Sequence, residues 1–254
     1  MAEQITKNIW CTPKCGLTMV ENTFKKMSIN SDKKILIVRN PYSRIVSFYL
    51  NKILYKCVPG NYFDSLDHIC DTCNTYNNPR ATLSEYPTRF ELSQDPNDRI
   101  DISRFINGFY RPLKHPVYFD DCSFARFIDI IKNSNVNLLE RHLHKQTYRV
   151  DLEQFSHILK IENFNSEIEK VCGLLNISLD EYNKVKAEAY VNKTFKNSSC
   201  DKNIIGLSPY EMRKNRDIPK DISLYFNEEV QQIIYNLYRD DFYLLNYKGG
   251  LSND

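Results

Sequence analysis

The stretch "KKILIVRNPYSRIVSFYLNKILYK", residues 33–56, constrains the fold more than any other. It opens with a short, continuous, β-branched apolar run, which reads as a strand buried on both faces. Asn40-Pro41 ends that run, and Pro41 suits the first position of a helix. From 42 to 56 the apolar period changes to a helical one, with Ile45, Tyr49 and Ile53 on one face beside Val46 and Leu54. A two-sided strand feeding a helix is the unit of an α/β protein with a mainly parallel sheet.

The stretch "WCTPKCGLTMVENTF", residues 10–24, repeats the pattern: an apolar edge, a Pro-Lys turn, small residues, then a helix. A lysine between a strand and a helix start suits an anion, because the N–H groups there point outward and the helix dipole favours negative charge. In a parallel sheet ligands bind at the carboxyl ends of the strands. Lys14 stands after the first strand and Arg39 after the second, which points to a ligand with two separate phosphates. The chain holds neither G-x-x-x-x-G-K-[ST] nor G-x-G-x-x-G, and only seven glycines, so this is a different phosphate loop.

Further along, 123–134 reads as a helix, 157–164 as a strand, 165–177 as a helix capped by Asn165 or Ser166, and 224–247 as one long amphipathic helix. The 254 residues are expected to form a single domain. Residues 57–121 are irregular, too long for a simple loop, and read as an insertion that binds the acceptor. They carry ten acids and six bases, a net of −4, with Tyr62, Phe63, Tyr76, Tyr86 and Phe90 among them. A surface for a polyanion would be basic. Aromatic rings suit a sugar face or a flat cation, and the acids could equally just solvate the insertion.

A net charge of +2 gives no general case for nucleic acid. No 18-residue apolar run and no secretion-signal core occur, so the expectation is a cytoplasmic protein with its eight cysteines reduced and no membrane partner. "HICDTC" (68–73) holds one C-x-x-C without a second, so no metal is expected.

Several segments resemble sulfotransferases that use 3′-phosphoadenosine 5′-phosphosulfate (PAPS), most of all the carbohydrate branch known as sulfotransferase family 2. "TPKCGLT" is similar to their 5′-phosphosulfate loop. "RNPYSRIVSFY" fits their R-x-P-x-x-R-x-x-S-x-Y motif at Arg39, Pro41, Arg44, Ser47 and Tyr49. "ERHLHKQT" resembles N-x-H-W-x-P-Q with His142 and Gln146 in step, although Leu143 and Lys145 replace its Trp and Pro. "ILKIENF", "YVNKT" and "LYRDDFYLLNY" resemble later pieces, in the family's order.

The resemblance implies a three-layer, P-loop-NTPase-like sulfotransferase fold. It implies that Lys14 stabilises the leaving phosphate, with the loop residues Cys15, Gly16, Leu17, Thr18 and Met19 around the 5′-phosphate. Arg39 and Ser47 would hold the 3′-phosphate, and Asn192 and Lys193 would close over the nucleotide. His142 would be the base, with His144 and Glu162 as rivals. PAPS would be the co-substrate, 3′,5′-adenosine bisphosphate (PAP) the product, and no metal would be required. The acceptor stays open between a carbohydrate and a small polar or cationic metabolite such as a hydroxylated guanidinium alkaloid. Transfer to nitrogen, a nucleotide kinase or NTPase, and a nucleotide-binding protein without activity are the competing readings. Arg44 could pair with an acid or meet the ligand.

Overall fold

The computed structural model describes residues 2–54, 122–188, 203–209, 211–212, 218–219 and 221–250. The expected insertion, the 68–73 motif, Asn192 and Lys193 lie outside the described residues. Two compact units appear: the first joins Met1–Ile45, Arg141–Phe195 and Ile234–Asp254, the second Val46–Glu140 and Lys196–Ile233.

The first unit is built on a sheet of β1 (Glu3–Gln4), β2 (Ile9–Cys11), β3 (Ile35–Val38) and β4 (His157–Lys160), in that spatial order. β1 runs antiparallel to β2, whereas β2–β3 and β3–β4 are parallel, with Cys11 opposite Ile37 and Val38 opposite Lys160. All four β3 side chains are buried, as a continuous apolar run requires. Alternation divides them. Ile35 and Ile37 join Ile9, Cys11 and Leu159 in one apolar cluster; Leu36 and Val38 join Trp10, Ile158, Phe155 and Leu245 in the other. The first cluster is closed by Val20 and Phe24 of α1 (Leu17–Phe24) and by the helix pair that follows β4. Each such side chain is worth about 1.5–3 kcal/mol when fully buried.

Helix α2 (Pro41–Tyr49) starts at the expected proline, but it does not run to 56 as one α-helix: it widens into a π-helical turn at Leu50–Leu54. Helix α3 (Phe124–Ile131) begins at Ser123, whose hydroxyl accepts from the Arg126 N–H at 3.2 Å. The strand expected to reach 164 stops at Lys160, because Ile161–Asn163 turns into a 3-10 helix. Helix α4 (Phe164–Leu175) therefore starts earlier than expected, with Asn163 rather than Asn165 or Ser166 at its N-cap. It stops at Asn176 in the left-handed conformation (φ 55°), and α5 (Leu179–Glu188) follows.

The C-terminal helix also departs from expectation. Ile222–Tyr225 is a 3-10 turn, Asn227 Oδ1 caps α6 (Glu228–Leu237) through the Val230 N–H at 2.9 Å, and Tyr238 separates it from α7 (Arg239–Leu244). Tyr238 is buried, and its hydroxyl donates to the Leu143 carbonyl at 2.7 Å. That tertiary anchor sits at the break, and it brings Asp241 into the interior.

Among the described residues of the second unit, aromatic rings pack together. Phe48 stacks on Phe127 with centroids 5.6 Å apart, and Phe124 meets Tyr49, Tyr225 and Phe226 edge-on. Among the described residues no helix is long and apolar enough to cross a membrane.

Candidate functional site

The site lies in the first unit, at the carboxyl ends of β2 and β3. After β2 the chain turns through Lys14 (φ +68°) and Gly16 (φ +74°), both left-handed, before α1 begins at Leu17. Gly16 is required for its backbone angle and not for space, since an added Cβ would meet the Ile161 Cδ1 at an ordinary 3.5 Å. Lys14 has no such freedom; a non-glycine residue held there stores roughly 1–2 kcal/mol of strain.

The turn exposes backbone donors. Val20 N–H is the first to find an acceptor inside α1, the Gly16 carbonyl at 3.0 Å. Among the described residues, the N–H groups of Gly16, Leu17, Thr18 and Met19 meet no acceptor, and Gly16 and Thr18 are exposed. Alternating left-handed residues ahead of open helix N–H groups form an anion nest. This donor set fits the phosphate of a nucleotide.

A buried polar frame holds the two strand ends. Gln146, 1 % exposed, takes the Thr12 hydroxyl at 2.8 Å and the Arg39 N–H at 2.9 Å on its Oε1, and its Nε2 donates to the Arg39 carbonyl at 2.7 Å. Arg39 Nη1 donates to the Lys14 carbonyl at 3.0 Å, so this guanidinium leans across to the β2 turn. Cys15 is buried, its Sγ 2.8 Å from the Thr12 Oγ1, and burial pushes its thiol up to about 12. It is therefore a packed thiol rather than a nucleophile.

The histidine segment is fixed by Arg44. This side chain is 2 % exposed and donates to the carbonyls of His142 (2.9 Å) and His144 (2.6 Å), beneath which Tyr238 places its ring 5.3 Å from the guanidinium carbon. Its charge faces the fully buried Asp241, 3.9 Å away. The Asp241 carboxylate accepts from Gln146 N–H (2.8 Å), Thr147 N–H (3.0 Å) and Thr147 Oγ1 (2.9 Å). The acid that faces Arg44 lies on α7, not on its own helix α2. His142 and His144 are half-buried, and Tyr148 meets the His144 ring edge-on at 5.5 Å.

Glu162 stands after β4. Its Oε1 accepts from Asn40 N–H at 2.8 Å and its Oε2 from the Tyr247 hydroxyl at 3.2 Å. Both oxygens are thus engaged in anchoring the turn beyond Arg39. Burial first, then the Glu162 charge, raise the Tyr247 phenol well above its ordinary range. Ser47 is half-buried on α2.

The structure thus brings Lys14, Cys15, Gly16, Arg39 and the His142 segment into one unit, tied together by Thr12, Gln146 and Asp241. Sequence reasoning assigned no role to those three. Gln146 and Asp241 did fall inside segments "ERHLHKQT" and "LYRDDFYLLNY", the signal that could have marked them.

An α/β sheet with open helix N–H groups and cationic residues at adjacent strand ends is an arrangement suited to an anion. The model of the sulfotransferase family, family 2, matches residues 16–248, and the chain belongs to that family. Sulfuryl transfer is accordingly its general activity. The match begins at Gly16, so Lys14 lies just ahead of it. No curated protein and no solved structure matches the chain.

Proposed function

We propose that this protein transfers the sulfuryl group of PAPS to a hydroxyl of its acceptor. The observation that carries the reading is the β2–α1 turn: a strained Lys14 and a left-handed Gly16 ahead of four backbone N–H groups without acceptors among the described residues. The two covered faces of the sheet support a three-layer, P-loop-NTPase-like arrangement.

PAPS supplies an activated sulfuryl group on a phosphate leaving group. The N–H groups of Gly16, Leu17, Thr18 and Met19 and the Thr18 hydroxyl surround the 5′-phosphate; the Cys15 N–H, expected among them, is bonded to the Thr12 carbonyl at 3.2 Å and is part of the frame. Arg39 holds the 3′-phosphate through a forked set of donors; Ser47, which the resemblance adds, falls in the second unit. His142 takes the acceptor's hydroxyl proton as the oxygen attacks sulfur in line. Lys14 neutralises the charge left on the 5′-phosphate oxygen when its bond to sulfur breaks. Asn192 and Lys193, outside the described residues, are assigned to nucleotide binding by the family resemblance alone. Arg44 keeps the His142 backbone in place. Glu162 supports the Arg39 turn and is the weaker base candidate, because Asn40 and Tyr247 already use its oxygens.

The acceptor is a carbohydrate or a small polar or cationic metabolite. Asp120→Asn with Asp121→Asn should raise the KM of a cationic acceptor; an unchanged KM removes that class. The cofactor is tested by calorimetric titration of PAP and adenosine 5′-phosphate into wild type and Arg39→Ala. A preference for the bisphosphate that disappears in the variant supports the site, and labelled PAPS then identifies acceptors. Equal binding of the two nucleotides would remove PAPS from the reading.

A further inference from the structure

We propose that Gln146 is a positioning residue that sets the gap between the strand end carrying Lys14 and the strand end carrying Arg39. The proposal rests on the PAPS reading of those two ends. The β2–β3 ladder finishes with Thr12 N–H on the Ile37 carbonyl at 3.0 Å, and the last β3–β4 pair is Val38 with Lys160. One residue later, Arg39 needs a new partner for its N–H and its C=O. The Gln146 carboxamide serves both, accepting at 2.9 Å and donating at 2.7 Å, as a neighbouring strand would. The same Oε1 takes the Thr12 hydroxyl from the other strand. One amide therefore bridges the two ends.

The bridge cannot swing. Its own N–H is held by Asp241, which is fully buried and faces Arg44. Without the amide, the half-buried Arg39 N–H and C=O lose their partners, while the Thr12 hydroxyl falls back on the Ile37 carbonyl at 3.3 Å and the Cys15 thiol, and the strand ends shift to recover the lost bonds. A ligand that touches both ends feels that shift. A ligand that touches only the α1 end feels it much less.

The experiment compares PAP with adenosine 5′-phosphate, by calorimetry, on wild type, Gln146→Leu and Gln146→Glu across about pH 5.5 to 8. Gln146→Leu should weaken PAP at least ~10-fold and adenosine 5′-phosphate less than ~3-fold. A role in stability alone would lower both together or neither. Gln146→Glu is the sharper arm, and it serves even if the leucine variant fails to fold. A neutral carboxyl has one O–H donor, against the amide's two N–H donors, beside a carbonyl acceptor, so it can still serve both Arg39 groups; the carboxylate has no donor for the Arg39 carbonyl. Burial raises a carboxyl's pKa. The variant should hold the wild-type preference at the acid end and lose it as pH rises and the proton leaves. Lys14, Arg39, Arg44, His142, His144, Cys15, Glu162 and Asp241 surround the position, and the wild-type titration subtracts their effects and that of the nucleotide phosphates. A preference in both variants equal to wild type at every pH overturns the proposal and leaves the PAPS reading standing. A wild type without preference for PAP overturns both.

Discussion

Among the described residues both units bury apolar side chains, but the first adds to its two apolar clusters a buried polar network at the strand ends. The second closes on stacked and edge-on rings, Phe48, Tyr49, Phe124, Phe127, Tyr225 and Phe226. The first places Thr12, Arg44, Gln146 and Asp241 out of solvent, directly beneath the strand ends that carry Lys14 and Arg39. Rings tolerate small shifts, because dispersion and area burial are weakly directional. Hydrogen bonds at 2.7–3.0 Å do not. The difference teaches that the first unit sets the geometry of its strand ends by directional bonds laid over an apolar interior of its own.

The sharpest way to break that contrast is a pair of truncations. Asp241→Ala strands Arg44 and removes three acceptor contacts, so it should cost about 3–5 kcal/mol in urea unfolding and also abolish preference for PAP. Phe124→Ala should cost about 3–5 kcal/mol as well, yet leave PAP affinity of the folded protein within about twofold. If Phe124→Ala weakened nucleotide binding as much as Asp241→Ala does, the contrast would collapse.

Next in size is the reacting group. Lys14→Ala should lower kcat/KM for sulfuryl transfer about 10²- to 10³-fold with an almost unchanged melting temperature. Retained activity would move the leaving-group role elsewhere.

Alkaline pH probes the first unit's buried weak acids. Burial holds the Cys15 thiol up to about 12, from 9.0, and the Tyr42 and Tyr182 phenols up to about 12, from 10.0. On unfolding these groups release protons near their ordinary values, while the native state keeps them. The native state thus binds more protons between about pH 9 and 12, and stability falls as pH rises through that window. The urea midpoint should drop steadily above about pH 9, and Cys15→Ser should flatten the early part of the curve. A flat midpoint to pH 11 would contradict the burial of these groups.

The smallest effect concerns strain. Lys14→Gly should be about 1 kcal/mol more stable than Lys14→Ala, because glycine accepts φ +68° without penalty. Equal stabilities would show that the turn relaxes once the lysine is gone.

Much of the fold was legible locally. The run at 35–38 and the Asn-Pro after it marked β3 and the start of α2, since continuous apolarity and a fixed proline φ are properties of adjacent residues. The Pro-Lys turn ahead of α1 was legible for the same reason. The C-terminal helix was misread as unbroken because its apolar period continues through Tyr238; the interruption falls where that phenol meets the Leu143 carbonyl, 95 residues away in sequence. Cap positions shifted where a strand ended in a 3-10 turn, a difference of a few residues that periodicity does not resolve.

By itself the sequence determined that a two-sided strand and two strand-to-helix turns would place Lys14 and Arg39 at neighbouring strand ends, because periodicity and proline act over a few residues. Tertiary structure alone decided that Arg44 serves the histidine backbone, and that one glutamine joins Thr12 and Arg39 from 134 and 107 residues away. Buried hydrogen bonds depend on which carbonyls and N–H groups the completed fold leaves facing each other, and no local pattern of residues records that.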